Sequence, residues 1–177
     1  MGLICIIIGY LLGSVSGSII LSKLKNLPDP RQSGSGNAGA TNMLRSTGLN
    51  NASLVMIVDI VKGLVAIIIG HVFGISEGAL SFVLVAAVLG HIFPVFFGFK
   101  GGKGVATMLG CMLGLSPTVG ILCLAIWGGV VYVTKYASLA SIIATAAALV
   151  LMFLFGYPAY VFGILITFII IIWAHKD

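Results

Sequence analysis

The segment SGSGNAGATNMLRSTG, Ser33–Gly48, combines residue types from which a binding site for an anion can be built. Gly34, Gly36 and Gly39 allow the backbone to take positive φ angles. Successive main-chain N–H groups can then converge on one anion. Further hydrogen-bond donors come from four side chains of the same segment: Ser35, Asn37, Thr41 and Asn42.

The same segment also offers a helix N-terminus and a guanidinium group. A helix that starts near Ala40 would direct its first amides and its dipole at the anion, and Arg45 presents a planar fork that matches phosphate. Together these parts favour phosphate as the ligand. Because Ser, Gly and Asn are also ordinary loop residues, a solvated loop without a ligand is the alternative.

The segment GHIFPVFFGFKGGKGVAT, Gly90–Thr107, is a second cationic, glycine-rich stretch. Lys100 and Lys103 flank Gly101 and Gly102. The pattern is not a Walker loop, since Ser or Thr does not follow the lysine. Two such segments could close over one highly anionic ligand or over two ligands that each carry phosphate. The alternative is that the lysines only anchor the chain at a membrane interface.

Ionisable residues inside the apolar stretches are few. Asp59 and Lys62 are three residues apart and are expected on one helix face, where they would pair and support the site or simply hold helices together. His91 is interpreted as a buried, hydrogen-bonded histidine with a structural role. His175, after the last apolar stretch, is expected near the cationic segments.

The composition excludes several kinds of site. Only four carboxylates are present, and no nucleophile elbow or zinc-binding His-Glu-x-x-His motif occurs. We therefore expect no metal and no cofactor, and an Asp-backed serine triad is difficult to assemble. A substrate of an enzyme built this way would have to supply its own base.

Membrane-spanning helices are the elements that must position these residues. The chain is 60% hydrophobic and only 7% charged, against about 25% charged in soluble domains. The sequence predicts a single all-α domain over residues 1–177, a bundle of seven transmembrane helices. The predicted spans are Gly2–Leu21, Asn50–Phe73, Ala79–Phe97, Val105–Leu115, Pro117–Val133, Ala137–Phe155 and Ala159–Ala174.

The distribution of cations predicts the orientation of this bundle. With the N-terminus outside, eight of the nine Lys and Arg residues fall on the cytoplasmic side. The loops on the opposite side contain no cation, and Glu77 is their one charged residue. Merging the fourth and fifth spans would place Lys135 outside, which favours seven spans. The net charge of +5 is thus attributed to membrane orientation, and no nucleic-acid partner is expected. The eight cations are Lys23, Lys25, Arg31, Arg45, Lys100, Lys103, Lys135 and Lys176.

Four motifs resemble those of the PlsY family, the bacterial acyl-phosphate:glycerol-3-phosphate acyltransferases. They are LPDPRQSGSGNAGATNMLRSTG (Leu27–Gly48), DIVKG (Asp59–Gly63), GHIFPVFFGFKGGKGVAT (Gly90–Thr107) and YASLASI (Tyr136–Ile142). The resemblance implies seven helices in the bacterial inner membrane and a site at the cytoplasmic face. It implies acyl transfer from acyl phosphate to the 1-hydroxyl of glycerol 3-phosphate, giving lysophosphatidic acid and phosphate for phospholipid synthesis. It also implies membrane lipids as surroundings and transient contact with the enzyme that makes acyl phosphate.

The resemblance further implies roles for individual residues. Ser35, Arg45, Lys103 and His175 would be catalytic. Asp59, Lys62 and His91 are expected from their own positions, and not from the resemblance, to give structural support. Substrate would be held by Gly36, Asn37, Gly39, Thr41, Asn42, Lys100, Gly101 and Gly102.

One motif departs from the family pattern. The family's third motif has an asparagine three residues after a histidine, whereas this sequence stops at Asp177, two residues after His175. Either the chain is truncated or that motif is absent.

Two other functions fit parts of the sequence. A small transporter for phosphorylated solutes would also need anion-binding loops and intramembrane ions. Alternating access requires a central site, however, whereas both cationic segments are predicted on one face. A packing scaffold with lipid-binding loops would leave the order Gly-Asn-Ala-Gly-Ala-Thr-Asn unexplained.

Overall fold

A computed structural model describes residues 1–176, and within that range the chain is helical and contains no strand. The long apolar runs of the sequence form the helices, and the glycine-rich polar segments connect them. The helices are α1 Gly2–Gly13, α2 Gly17–Leu24, α3 Ala40–Thr47, α4 Leu49–Val72, α5 Glu77–Ile92, α6 Val105–Leu115, α7 Pro117–Thr134, α8 Ala137–Leu154 and α9 Pro158–Ala174, with a short 3₁₀ turn at Val95–Phe97.

The first predicted span is broken in the structure. The sequence predicts one helix over Gly2–Leu21, but α1 and α2 are separate and meet at an angle of 42°. The break falls in a run of small residues, where the hydroxyl of Ser14 donates to the carbonyl of Tyr10 at 2.8 Å. Serine bonds of this kind compete with the regular helical pattern and bend helices, so the prediction of one continuous helix was wrong.

The helices account for several membrane spans without reaching the predicted seven. Four segments of the described chain are long and apolar enough to cross a bilayer: Leu49–Val72, Glu77–Phe97, Pro117–Thr134 and Ala137–Leu154. The bent pair α1 and α2 is a fifth if it counts as one span. α6 and α9 lie where spans were predicted but are shorter than 18 residues. Seven spans and the direction of the termini stay predictions.

Glycines allow the central helices to approach closely. On α5, a β-carbon at Gly90 would collide with the carbonyl oxygen of Tyr10 on α1. On the α4–α6 interface, a β-carbon at Gly110 would collide with the carbonyl oxygen of Ile60. These contacts are the ones that small residues permit between membrane helices.

The two glycine-rich segments come together at one end of the bundle. We call residues 25–39 the first loop and residues 93–104 the second loop. The backbone N–H of Ala38 donates to the carbonyl of Gly101 at 3.3 Å. The guanidinium of Arg31 donates to the carbonyl of Phe97 at 2.9 Å. Two bonds therefore join the loops directly.

Candidate active site

A cavity of about 750 Å³ opens where the two loops meet the helix ends. Its walls come from both loops, from α3, α4, α6, α7 and α8, and from the ends of α5 and α9. Most of the sequence-predicted site residues line it, namely Ser35, Gly36, Asn37, Gly39, Thr41, Asn42, Arg45, Gly101, Gly102, Lys103 and His175. Arg45 on α3 and Lys103 in the second loop thus face one space.

The remaining predicted residues lie at or behind the cavity wall. Asp59 and His91 line the cavity, whereas Lys62 lies behind them. Lys100 is exposed and does not line the cavity. The structure therefore separates the two lysines that flank the glycine pair in the second loop.

The first loop uses its glycines in two different ways. Gly34 and Gly36 have φ angles of 59° and 70°, a region that glycine enters without the usual steric cost. Gly39 has a φ of −127° and is the N-cap of α3. The prediction that Gly39 takes a positive φ was therefore wrong. The expected helix start near Ala40 is confirmed.

The side chain of Asn42 holds the first loop in shape. Its amide nitrogen lies 2.8 Å from the carbonyl oxygen of Pro30, 3.0 Å from that of Ser33 and 2.9 Å from that of Asn37. Its oxygen accepts from the N–H of Ser35 at 3.0 Å. Asn42 is buried, and all of these partners belong to the loop. The structure thus places this predicted ligand residue beneath the loop.

Two helices begin at the cavity. The first-turn residues Ala40 and Thr41 of α3 line it, and so do Val105 and Ala106 of α6. The unpaired amides of a first helical turn and the helix dipole both favour an anion. α6 follows directly on Lys103 and Gly104, whose φ is 86°. The sequence predicted a helix start near both Ala40 and Val105, but only the start of α3 was expected to contribute to an anion site.

Paired glycines shape the second loop against the end of α5. The N–H of Gly101 donates to the carbonyl of Ile92, and the N–H of Gly102 donates to the carbonyl of His91, both at 3.1 Å. A β-carbon at Gly101 would collide with the His91 carbonyl oxygen, and one at Gly102 would collide with Nε2 of the same histidine. Side chains at either position are thereby excluded.

A buried ionic cluster lies behind the second loop. Nζ of Lys62 is 2.9 Å from Oδ1 of Asp59, 2.9 Å from Nδ1 of His91 and 2.6 Å from the carbonyl oxygen of Val15. All three ionisable residues of this cluster are buried. The predicted pairing of Asp59 with Lys62 is confirmed as a contact, and the cluster connects α4, α5 and the break between α1 and α2.

His175 follows α9 and is partly buried at the cavity. Its Nδ1 lies 2.8 Å from the carbonyl oxygen of Ile171. A carbonyl only accepts, so Nδ1 carries a proton and Nε2 of the neutral ring is an acceptor. Burial lowers the pKa of His175 below its usual 6.5, the nearby charge of Lys103 lowers it further, and the bond to Ile171 opposes this shift.

An ion pair stabilises the first loop, and it was not predicted from the sequence. Asp29 and Arg31 pair at 2.6 Å, and the guanidinium holds the pKa of the Asp29 carboxyl below its usual 3.8. Arg31 is also the residue that reaches Phe97 in the second loop. The motif LPDPRQ contained the signal, because a carboxylate and a guanidinium two residues apart in a turn can pair.

Several further cavity residues were not predicted. Polar ones cluster around the start of α8 and the end of α9: Lys135, Tyr136, Ser138, Ser141 and Lys176. The similarity of YASLASI to a family motif was the available signal for the α8 group. On the side facing α4, α6 and α7 the wall is largely apolar, with Met56, Ile60, Leu109, Leu124 and Trp127. The cavity therefore has a cationic part and an apolar part.

Comparison with known proteins gives the class of this chain. A family model described as glycerol-3-phosphate acyltransferase matches residues 3–177. A glycerol-3-phosphate acyltransferase of Coxiella burnetii is 49% identical over 175 residues, covering 99% of this chain and 91% of the relative. One from Neisseria gonorrhoeae is 44% identical and covers 96% and 88% of the two chains.

Solved structures agree with this class. A crystal structure of PlsY, an integral membrane glycerol 3-phosphate acyltransferase, in its glycerol 3-phosphate form has a TM-score of 0.93 and 43% identity, covering 99% of this chain and 88% of that one. The lysophosphatidic acid form has a TM-score of 0.90 and 42% identity over the same shares.

The chain belongs to the glycerol-3-phosphate acyltransferase family. The family predicted from the motifs is confirmed, and the chain is an enzyme of a multi-pass membrane protein family.

Proposed function

We propose that this protein transfers a fatty acyl group from acyl phosphate to the 1-hydroxyl of sn-glycerol 3-phosphate, releasing lysophosphatidic acid and inorganic phosphate. The observation that carries the proposal is the convergence of Arg45, Lys103 and the first turns of α3 and α6 on one cavity. Both substrates carry phosphate. Arg45 lies on α3, which follows the first loop, and Lys103 lies in the second loop, which precedes α6.

The two parts of the cavity suit the two parts of the donor. Cations and helix N-termini stabilise phosphate oxygens, while the apolar wall on the α4–α6–α7 side suits the start of a fatty acyl chain. Asn37 adds a feature for the acceptor, since its Oδ1 is buried without a hydrogen-bond partner among the described residues. A glycerol hydroxyl is a donor that would satisfy this oxygen.

The chemistry needs charge stabilisation more than a strong base. The acceptor's 1-hydroxyl oxygen bonds to the carbonyl carbon, and the bond from that carbon to the bridging phosphate oxygen breaks. The hydroxyl proton passes to a phosphate oxygen of the donor, so the products are an ester and inorganic phosphate. Arg45, Lys103 and fixed amides stabilise the leaving phosphate, and binding both substrates side by side lowers the entropic barrier. Ser35 and His175 act within hydrogen-bonding range of the reacting groups, and Gly36, Gly39 and Thr41 hold phosphate.

The location follows the charge pattern. We propose seven spans in a bacterial inner membrane, an outer N-terminus, a cytoplasmic C-terminus and a cavity that opens to the cytoplasm. Residues 1–177 act as one domain. A transient contact with the enzyme that makes acyl phosphate would deliver an insoluble donor to this side.

The function is tested with purified protein, acyl phosphate and glycerol 3-phosphate. Phosphate release that requires both substrates, with lysophosphatidic acid formed in equal amount, is the expected result. Phosphate release from acyl phosphate alone would indicate a hydrolase. Uptake of glycerol 3-phosphate into sealed vesicles without product would instead indicate the transporter that the sequence left as an alternative.

A further inference from the structure

His91 has one ring nitrogen whose role the buried cluster does not explain. The side chain is 5% exposed and lines the cavity. Nδ1 contacts Lys62, whereas Nε2 lies on the opposite side of the ring against Gly102. No described residue accepts a hydrogen bond from Nε2. Because His91 lines the cavity, a ligand bound there can supply the acceptor that the described residues do not.

Lys62 fixes which ring nitrogen carries the proton. An ammonium group has three donors and no acceptor. Nζ forms an ion pair with Asp59, donates to the carbonyl oxygen of Val15 and lies 2.9 Å from Nδ1 of His91, to which it can only donate. Nδ1 of His91 must therefore accept. Its 3.5 Å separation from Asp59 is longer than its 2.9 Å separation from Lys62, so the lysine decides the tautomer and places the proton on Nε2.

The surroundings of Nε2 define the chemistry of its acceptor. Gly102 contributes no side chain there, and any β-carbon would collide with the ring nitrogen. Lys103 is the next residue, and α6 begins two residues later. A cation and a helix N-terminus select an anion, and a neutral N–H adds a directional bond to it. The fitting ligand atom is a phosphate oxygen.

The geometry points to His91 as a substrate-binding residue, a neutral imidazole that donates from Nε2 to a phosphate oxygen of one of the two substrates. Asp59 and Lys62 are positioning residues that hold it in this tautomer. This inference rests on the proposed function and extends it, since the sequence assigned His91 only structural support.

Two substitutions at His91 distinguish a role of its Nε2 hydrogen-bond donor from a role of its contact with Lys62. In His91→Asn, the amide can keep the contact with Lys62 but does not reach the position of Nε2. In His91→Gln, the amide nitrogen can replace the Nε2 donor. His91→Asn is expected to raise KM about tenfold for one phosphate substrate, the size of a hydrogen bond to a charged group, with kcat changed less than twofold. His91→Gln restores most of this loss. His71→Asn, at an exposed histidine outside the cavity, is the control.

The substrate that is bound is identified by varying each one separately. A raised KM for glycerol 3-phosphate alone assigns the contact to the acceptor, and a raised KM for acyl phosphate alone assigns it to the donor. Equal KM values for the Asn and Gln variants and the wild type would overturn the inference. If the wild-type protein itself forms no lysophosphatidic acid from the two substrates, the result would instead count against the proposed function.

A measurement on the unmodified protein does not depend on variants that fold. In ¹⁵N spectra of histidine-labelled protein, His91 is expected to show a protonated Nε2 and an unprotonated Nδ1. Its signal is identified as the one that persists in both His71→Asn and His175→Gln. Addition of glycerol 3-phosphate, or of inorganic phosphate, should shift the Nε2 signal. A proton on Nδ1, or an Nε2 signal unchanged by either anion, would overturn the inference.

Discussion

At the scale of single residues, the cavity combines side chains that face a ligand with side chains that hold those in place. Arg45 faces the cavity from α3 and Lys103 faces it from the second loop. Asn42 directs its bonds into the first loop. Substitutions in the two groups should therefore change different measurable quantities.

Replacing Arg45 tests the ligand-facing group. Arg45→Ala should lower kcat/KM roughly 10- to 100-fold, the loss expected when charge-assisted hydrogen bonds to phosphate are removed. Lys25→Ala is the matched control, because Lys25 is exposed, bonds Asn51 at 2.8 Å and lies outside the cavity. Initial rates of phosphate release measure both. Wild-type activity in Arg45→Ala would contradict the proposed phosphate contact.

Replacing Asn42 tests the supporting group. Asn42→Ala removes the partners of Pro30, Ser33 and Asn37 and should cost about 1–3 kcal/mol of loop stability. The result is faster amide hydrogen exchange across residues 30–38 together with a raised KM. Thr47→Val, which removes a hydroxyl bond within α3, serves as the comparison. Unchanged exchange in the first loop would show that Asn42 does not hold it.

The lowered pKa of His175 gives a signed pH dependence. A histidine whose folded pKa is below 6.5 is neutral at pH 7 and becomes charged only on further acidification, so its contribution to folding stability falls as pH drops below the unfolded value. If neutral Nε2 accepts from substrate, activity should fall over the same range.

Substrate phosphate also titrates near pH 6, so a variant is needed for comparison. The ratio of kcat/KM for the wild type to that for His175→Gln should decrease on acidification through a pKa below 6.5. A ratio that is constant with pH would argue against a role for the neutral imidazole.

At the scale of helices, the sequence predicted where each helix lies better than it predicted where a helix is interrupted. Apolar run length placed α6 at Val105–Leu115 without error. It could not show the break after Gly13, because serines and glycines also occur inside straight membrane helices. The N-terminus of α6 at the cavity depended on tertiary contacts between loops, which no local pattern encodes. The same limit applies to Asn42, whose residue type suits a ligand as well as a loop.

Close helix packing makes a prediction for stability. A β-carbon at Gly110 would collide with the Ile60 carbonyl, whereas one at Gly128 on α7 would meet nothing within 4 Å. Gly110→Ala should therefore destabilise the protein by about 1–3 kcal/mol, as overpacking does. Gly128→Ala should not lower the melting temperature. Thermal unfolding of both variants in one detergent decides the comparison, and equal effects would contradict the α4–α6 contact.

At the scale of the whole molecule, the short helix α6 determines the topology. If α6 crosses the membrane, Lys135 lies on the cytoplasmic side with Lys25. If α6 does not cross, Lys135 lies on the other side with Glu77. The positive charge of Lys135 favours the first arrangement.

Cysteine labelling distinguishes the two arrangements. In a background without Cys5, Cys111 and Cys123, which are buried, single cysteines replace Lys25, Glu77 or Lys135. A membrane-impermeant maleimide applied to intact cells should label Glu77→Cys only, and permeabilised cells should label all three. Labelling of Lys135→Cys in intact cells would contradict the seven-span proposal.

The bond from Lys62 to the Val15 carbonyl has a consequence for biogenesis. The interruption between α1 and α2 leaves a main-chain oxygen that lipid cannot satisfy, and its partner is on α4, 47 residues later in the chain. The bent pair α1 and α2 therefore reaches its final form only after the ribosome has delivered α4. Until then the insertion machinery must shelter it, so Lys62→Met should leave nascent chains in prolonged contact with the translocon.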